Sequence, residues 1–397
     1  MRVALVHYWL VGMRGGEKVL ESLCEMFPDA DIFTHVYVPD RISDTIRRHK
    51  VTTTMIARLP FAHRMYQSYL PLMPLALEQI DLRNYDLVIS SESGPAKGVL
   101  TRPDALHVCY CHTPMRYIWN MYQDYRDGAS RPMRAVIPFL AHRLRNWDYS
   151  SAARVDYFIA NSRTVAERIN KYYRRPASVV HPPVDLGTFS TTRRDVEADD
   201  FYLVAGQLIR YKRVDLAIEA CRALGRRLVV IGNGGEHDEL ARGAGPLVQF
   251  LGRVDDHTLR SYYARCRALL FTGEEDFGIV PLEAMACGRP VIAYGRGGAT
   301  ETVVNGLTGL LFHEQRVASL VDAIRQFEAM EKGFDPARIA AHAARFSKDE
   351  FRRQFLARLE IAMEEHVPRL SPPTEAWMGR QRTVAMPLPA SAPLAAD

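Results

Sequence analysis

Twice along this chain, short apolar runs alternate with segments whose apolar residues recur at helical spacing, and that alternation leaves few folds open. The first series opens at residues 2–10 (RVALVHYWL), turns through Gly12, Gly15 and Gly16, and enters residues 17–26, where Val19, Leu20, Leu23 and Met26 share a face. Runs at 32–38, 87–90, 106–111 and 156–160 continue it. The second series sets strands at 201–205, 227–231, 248–251, 268–272 and 290–293 against helices at 214–224, 256–266 and 281–286. Strands joined through helices pair in parallel, and a parallel sheet is covered on both faces. The sequence therefore predicts an α/β protein of two Rossmann-like parallel-sheet domains facing each other across a cleft.

Punctuation sets the expected boundaries. HPPVD at 181–185 closes a domain of residues 1–185, and the polar stretch that follows places a linker at 186–200. A second domain spans 201–347. A helix at 348–366 closes the chain and is expected to pack back on the first domain. Residues 367–397 carry six prolines, lack apolar periodicity and are predicted to be flexible.

Composition excludes several classes. With 47% apolar and 24% charged residues and no run near the roughly 18 apolar residues of a spanning helix, the chain is not expected to cross a membrane. The longest apolar stretch, 59–80, is interrupted by His63, Arg64, Gln67, Glu78 and three prolines. The N-terminus lacks the pattern of an export leader, and six dispersed cysteines without a CxxC pair read as reduced thiols, so a cytoplasmic location is expected. The net charge of +5 is too small to predict nucleic-acid binding, but it is uneven: residues 1–185 hold 24 Lys and Arg against 18 Asp and Glu. Residues 133–147 mix cations with Val, Ile, Phe, Leu and Trp, as does a helix lying on an anionic membrane; 59–80 is the second candidate for that contact.

In open α/β sheets ligands sit outside the carboxyl ends of strands. The first glycine loop lacks the GxGxxG order of a dinucleotide site, which disfavours a nicotinamide oxidoreductase, and no P-loop is present. The DxD at Asp29–Asp31 precedes a strand and reads as a loop feature, so neither a metal nor another cofactor is expected. The sharpest constellation is residues 274–292 (EEDFGIVPLEAMACGRPVI). It sets Glu274, Glu275, Asp276 and Glu283 beside a strand end, with Gly278 to admit a ligand; such carboxylates suit pairs of sugar hydroxyls.

Around it stand Gly15-Gly16-Glu17, Asn161-Ser162, HPPVD, AGQLIRYKRVDLAIEA (205–220), IGNGG (231–235) and GGATETV (297–303). In this order, with Glu275 and Glu283 as E-x7-E, the chain resembles the retaining GT-B glycosyltransferases of family 4, the group 1 glycosyl transferases. The resemblance covers nearly all of residues 1–365. It implies an acceptor-binding N-terminal domain and a nucleotide-sugar-binding C-terminal one. It further implies that Glu283 binds ribose hydroxyls, Glu275 contacts the donor sugar, Phe277 and Gly278 offer backbone amides, and Lys212 neutralises the donor diphosphate. Gly16, Gly206, Gln207, Arg210 and Ile279 complete the implied donor site. Gln207 stands where the family usually has Arg, with Arg210 or Arg213 as the replacement cation. His112, after a strand in CHTPMRYIW, matches the family's active-site histidine, so the implied catalytic group is His112, Lys212 and Glu275; Gly15, Arg116, Tyr117 and Trp119 are the implied acceptor contacts.

The function expected from this resemblance is transfer of a hexose, first of all mannose from GDP-mannose, to a polyprenyl-diphosphate-linked oligosaccharide in bacterial surface-polysaccharide assembly. The implied enzyme is retaining and metal-independent, and sits peripherally on the inner face of the cytoplasmic membrane. The alternatives are a GT-B sugar-nucleotide epimerase and a non-catalytic nucleotide-sugar-binding protein, the latter suggested by Gln207.

Overall fold

The computed structural model describes residues 1–189 and 198–366. Seven parallel strands, β1 (Val3–His7), β2 (Asp31–Thr34), β3 (Val51–Thr53), β4 (Leu87–Glu92), β5 (Leu106–Cys111), β6 (Tyr157–Ala160) and β7 (Ser178–Val179), form one sheet in the order β3-β2-β1-β4-β5-β6-β7. Six more, β8 (Tyr202–Ala205), β9 (Leu228–Ile231), β10 (Val248–Gly252), β11 (Leu269–Phe271), β12 (Val291–Tyr294) and β13 (Gly309–Phe312), form a second in the order β10-β9-β8-β11-β12-β13. Each order turns back on itself once, between β1 and β4 and between β8 and β11. At such switch points neighbouring connections leave on opposite faces, and the carboxyl ends open into a crevice.

The central strands are buried at every position, which is why they read as continuous apolar runs instead of alternating ones. Polar residues intrude where these strands end: His7 on β1, and Ser90, Ser91 and Glu92 on β4, all fully buried. Two strands were missed from sequence. β3 is a three-residue edge strand whose Thr52 and Thr53 face solvent, and β13 is four residues behind a glycine. The run at 32–38 pairs as a strand only over Asp31–Thr34.

Within the expected linker, Leu186–Phe189 forms one helical turn whose Phe189 is buried in the second core; residues 190–197, like the predicted flexible segment 367–397, lie outside the described residues. The helix Lys348–His366 inserts Phe351, Phe355, Leu359 and Met363 into the core beneath the first sheet, beside Leu20, Val108 and Tyr110.

Residues 59–80 fold into consecutive helical turns, Ala62–Met65, Tyr66–Leu72 and Met73–Glu78. Ala62, Tyr66, Met73 and Ala76 face inward, while Phe61, Met65, Leu72 and Leu75 are exposed. The helix Arg131–Ala152 has no buried residue before Ala141. Among the described residues no helix is long and apolar enough to cross a membrane, and no cluster of metal-ligating side chains is found. All six cysteines are buried and free. Of the DxD, Asp31 is engaged by Arg2 at 3.6 Å and by the Tyr85 hydroxyl at 2.5 Å.

Candidate active site

The loops after β8 and β11 leave the switch point of the second sheet together. The first carries Gly206, Gln207 and a single turn, Arg210–Lys212; the second carries Gly273 to Gly278 and feeds the helix Ile279–Ala286. Lys212 Nζ pairs with Glu275 Oε1 at 2.8 Å. Gly206, Gln207, Lys212 and Glu275 line one small cleft with Thr272 and Gly273. A Cβ on Gly273 would lie 2.7 Å from the Lys212 Cα, so glycine there lets the two loops touch. Gly278, at φ +84°, turns the chain into the helix and leaves the first amides of Ile279–Ala286 without partners inside the helix. Arg210 and Arg213 do not join this group. They line a separate groove with Asp215, Glu219 and Glu236, and Arg213 is paired with Asp215 at 2.9 Å.

Gly297 and Gly298 hold the acidic loop from behind. Gly298 N donates to the Glu275 carbonyl at 2.8 Å, and a Cβ on Gly298 would lie 2.2 Å from Phe277 backbone atoms. The Phe277 ring is buried against His181 and Phe346, at centroid distances of 5.2 and 5.8 Å.

The four acids of this region are divided among several partners, with Arg168 shared by Asp276 and Glu274. Glu275 faces Lys212. Asp276 is held from the first domain by Arg168, by Arg116 at 3.4 Å and, through its carbonyl, by the Ser162 hydroxyl at 2.6 Å. Glu274 meets Arg168 at 3.5 Å. Glu283 is buried, accepts from the Tyr263 hydroxyl at 3.0 Å and faces Lys18 of the first domain at 4.0 Å; burial pushes its carboxyl above the ordinary range. A fifth carboxylate, Glu301, caps the N-terminus of the helix Arg163–Tyr173 across the domain boundary, accepting from the amides of Arg163 and Thr164 at 2.9 and 3.3 Å.

The first domain contributes the opposite wall. A Cβ on Gly15 would lie 3.2 Å from Ile279 Cδ1, so the glycine loop abuts the start of the helix Ile279–Ala286. A Cβ on Gly16 would lie 2.5 Å from the Tyr8 hydroxyl. His112, after β5, bonds Ser91 Oγ through Nε2 at 2.9 Å and sits edge-on to the Tyr110 ring. Arg116 lies over the Tyr211 ring at 5.2 Å, which ties CHTPMRYIW to the Lys212 turn. The buried Tyr117 hydroxyl has no protein partner among the described residues. Trp119 is held within the first domain: its indole N–H donates to Asp148 at 2.7 Å and its ring stacks on Tyr172 at 4.7 Å.

Sequence reasoning missed Arg168, Glu301, His7 and Ser91. Their partners lie far away in the chain; the one local signal was polar residues at the carboxyl ends of otherwise apolar β1 and β4.

Two switch-point crevices facing each other, with a lysine–carboxylate pair in one and a histidine in the other, define the class as the GT-B glycosyltransferase architecture. Residues 13–188 match the family described as Glycosyltransferase Family 4, and residues 191–346 match Glycosyl transferases group 1. The chain is thus built from a family 4 domain followed by a group 1 domain. A D-inositol 3-phosphate glycosyltransferase of Actinosynnema mirum is 33% identical over 239 residues, covering 52% of this chain and 57% of the relative; the chain spans little more than half the length of the curated relatives it matches. HepE of Anabaena, solved in complex with UDP, superposes with a TM-score of 0.67 at 18% identity, over 91% of this chain and 100% of that one. Sucrose-phosphate synthase of Thermosynechococcus elongatus does so with a TM-score of 0.66 at 17% identity, over 91% and 100%. At these identities the likeness to the solved structures is one of fold.

Proposed function

We propose that this chain is a sugar-nucleotide-dependent, retaining hexosyltransferase. The observation that carries the reading is the Lys212–Glu275 pair at the carboxyl ends of β8 and β11, with Gly15 of the first domain against Ile279 at the start of the following helix. Glycosyl transfer leaves a nucleoside diphosphate, and the barrier falls if a fixed cation and amides meet the charge developing on it. Lys212 supplies the cation, and the amides around Gly278 and Ile279 supply the dipoles. Glu275 takes sugar hydroxyls, and Glu283, held by Tyr263, takes those of the ribose. The acceptor attacks on the face the diphosphate leaves, with a phosphate oxygen receiving its proton, so the protein positions and neutralises. Mannose from GDP-mannose is the first donor and a polyprenyl-linked oligosaccharide the acceptor.

A lipid-linked acceptor is supported by the surface of the first domain. Phe139 (64% exposed) and Val136 project from the unpacked start of the helix Arg131–Ala152, beside Arg131, Arg134 and Arg143. Leu70, from the 59–80 turns, packs in one cluster with Ala141 and Leu144 of that helix, so the two apolar, cationic segments adjoin. Together they form a surface for anionic lipid. Vesicles of phosphatidylglycerol should sediment the protein, and phosphatidylcholine vesicles should not; Phe139→Glu with Arg134→Glu should abolish the difference. Equal sedimentation of wild type and variant would remove this surface from the proposal.

The function is tested by nucleoside diphosphate release from a panel of GDP- and UDP-sugars, for wild type and Glu283→Ala, with and without polyprenyl-linked lipid extract. Release from GDP-mannose, enhanced by lipid and lost in the variant, is expected. Turnover of a UDP-sugar alone would overturn the donor. Donor binding without release would leave a binding protein, and epimerised nucleotide sugar without acceptor an epimerase.

A further inference from the structure

Behind His112 runs a line of buried polar groups that links three elements of the first domain. Ser91 Oγ, at the end of β4, lies 2.9 Å from His112 Nε2 and 3.1 Å from Nδ1 of His7, at the end of β1. His7 Nε2 lies 4.0 Å from Oε1 of Glu17, in the first turn of the helix Gly15–Met26, and has no hydrogen bond among the described residues. His7, Ser91 and Glu17 are at most 1% exposed. The 4.0 Å gap is spanned by a small rotation of the Glu17 side chain or by one water.

A serine hydroxyl has one hydrogen, so Ser91 can donate to only one of the two imidazoles, and the other must donate to it. Burial lowers both histidines below the ordinary imidazole range, His112 to about 4, so near neutrality each is uncharged and only its tautomer is open. The far end of the line chooses. Ionised Glu17 attracts a proton to His7 Nε2; His7 Nδ1 is then bare and takes the Ser91 hydrogen, and His112 Nε2–H donates to Ser91 Oγ. Neutral Glu17 donates to His7 Nε2; His7 Nδ1–H donates to Ser91, and the Ser91 hydrogen goes to His112 Nε2. The protons balance: the second state holds one more than the first, on Glu17, and the hydrogen on His112 has moved from Nε2 to Nδ1.

The geometry points to Glu17, His7 and Ser91 as positioning residues that fix the tautomer of His112, so that its Nδ1 accepts a hydrogen bond when Glu17 is charged and donates one when Glu17 is neutral. The functional value rests on the hexosyltransferase reading, with His112 as the active-site histidine that the family resemblance implies: a sugar hydroxyl can meet either form, whereas a phosphate oxygen needs the donating form. The charged and titratable groups around the line are Arg14, whose amide donates to Glu17 Oε2 at 3.1 Å, and Tyr8, whose hydroxyl is held un-ionised by burial and then by the Glu17 charge; Tyr110 packs on His112. Burial, opposed by the Arg14 charge and by backbone donors, pushes the Glu17 carboxyl up to about 7, which places the switch in the neutral range.

The test reads the tautomer and needs no substrate. In the full chain labelled with nitrogen-15 histidine, two-bond proton–nitrogen spectra distinguish Nδ1–H from Nε2–H, and His112→Gln assigns the signal. The wild type should pass from Nδ1–H below neutrality to Nε2–H above it, with a midpoint near 7. Glu17→Gln, which holds the neutral form, should keep Nδ1–H throughout; Ser91→Ala, which cuts the line and serves if the first variant does not fold, should leave His112 without the inflection. A single wild-type tautomer across the range, or an unchanged transition in either folded variant, would overturn the proposal. A switch without sugar transfer in the donor panel would refute the hexosyltransferase and leave the line standing; transfer without a switch would do the reverse.

Discussion

Lys97→Met should cost the first domain about 3–5 kcal/mol, the usual penalty for removing one partner of a buried ionic group. Lys97 is wholly buried, as are Glu92 and Asp148. Its Nζ donates to Glu92 Oε1 at 2.9 Å and also to Asp148, and its amide donates to Glu92 Oε2 at 2.5 Å. Burial alone would lower the ammonium; the Asp148 and Glu92 charges reverse that and raise it. Burial pushes Glu92 up to about 7 even with the lysine present. Without the lysine side chain, two carboxylates remain in an apolar setting, Asp148 with the Trp119 and Tyr173 donors and Glu92 with the backbone amide of residue 97. The folded value of Glu92 then lies further above its unfolded one. Stability from a raised carboxyl is present below the unfolded value and lost as pH rises through the folded one. The deficit should therefore be small near the unfolded carboxyl range and grow as pH climbs through 7. Urea unfolding at several pH values measures it, and adding Glu92→Gln and Asp148→Asn should restore most of the loss. A deficit that does not change with pH would show that the carboxylates are not the cause.

Lys212→Ala should lower kcat by about 10²–10³, the range seen when one fixed group facing developing charge is removed. The cleft offers no substitute: Gln207 is uncharged, and Arg210 and Arg213 line another groove. The substitution also releases Glu275 from its 2.8 Å partner, so Lys212→Ala with Glu275→Gln separates the two effects. If the loss comes from the missing cation, the double variant should be no more active than the single one. Recovery in the double variant would mean that the unpaired carboxylate, not the missing cation, causes the defect. The measurement is steady-state nucleoside diphosphate release with the donor identified by the panel.

What could be read from sequence follows from where information is local. A strand buried on both faces announces itself as an apolar run, so β1, β4, β5, β8, β11 and β12 were legible, while β3 turns Thr52 and Thr53 to solvent and β13 opens on Gly309, so neither reads as an unbroken apolar run. That Lys212, Glu275 and Gly278 come together was legible because they lie on two loops, each next to the strand that positions it. The surroundings of His112 were not. His7 and Ser91 are 84 residues apart and meet only because β1 and β4 are neighbours at the switch point. Arg168 and Asp276 are 108 apart and belong to different domains. The family resemblance assigned Trp119 to the acceptor by its place in a motif; the bond from its N–H to Asp148, whose burial no spacing rule reveals, was not legible.

The return of the helix Lys348–His366 to the first domain bears on how the molecule is made. Phe351, Phe355, Leu359 and Met363, worth about 1.5–3 kcal/mol each when buried, complete with Ala362 a core whose other buried members lie within the first 180 residues. A ribosome releases those residues long before it reaches 366. Until then the nascent first domain carries an apolar slot over Leu20, Val108 and Tyr110, and the second domain, closed by its own Phe327 and Phe346, has everything it needs. The usual order of synthesis, first domain finished first, is inverted here: the half that emerges last is the half able to fold at once.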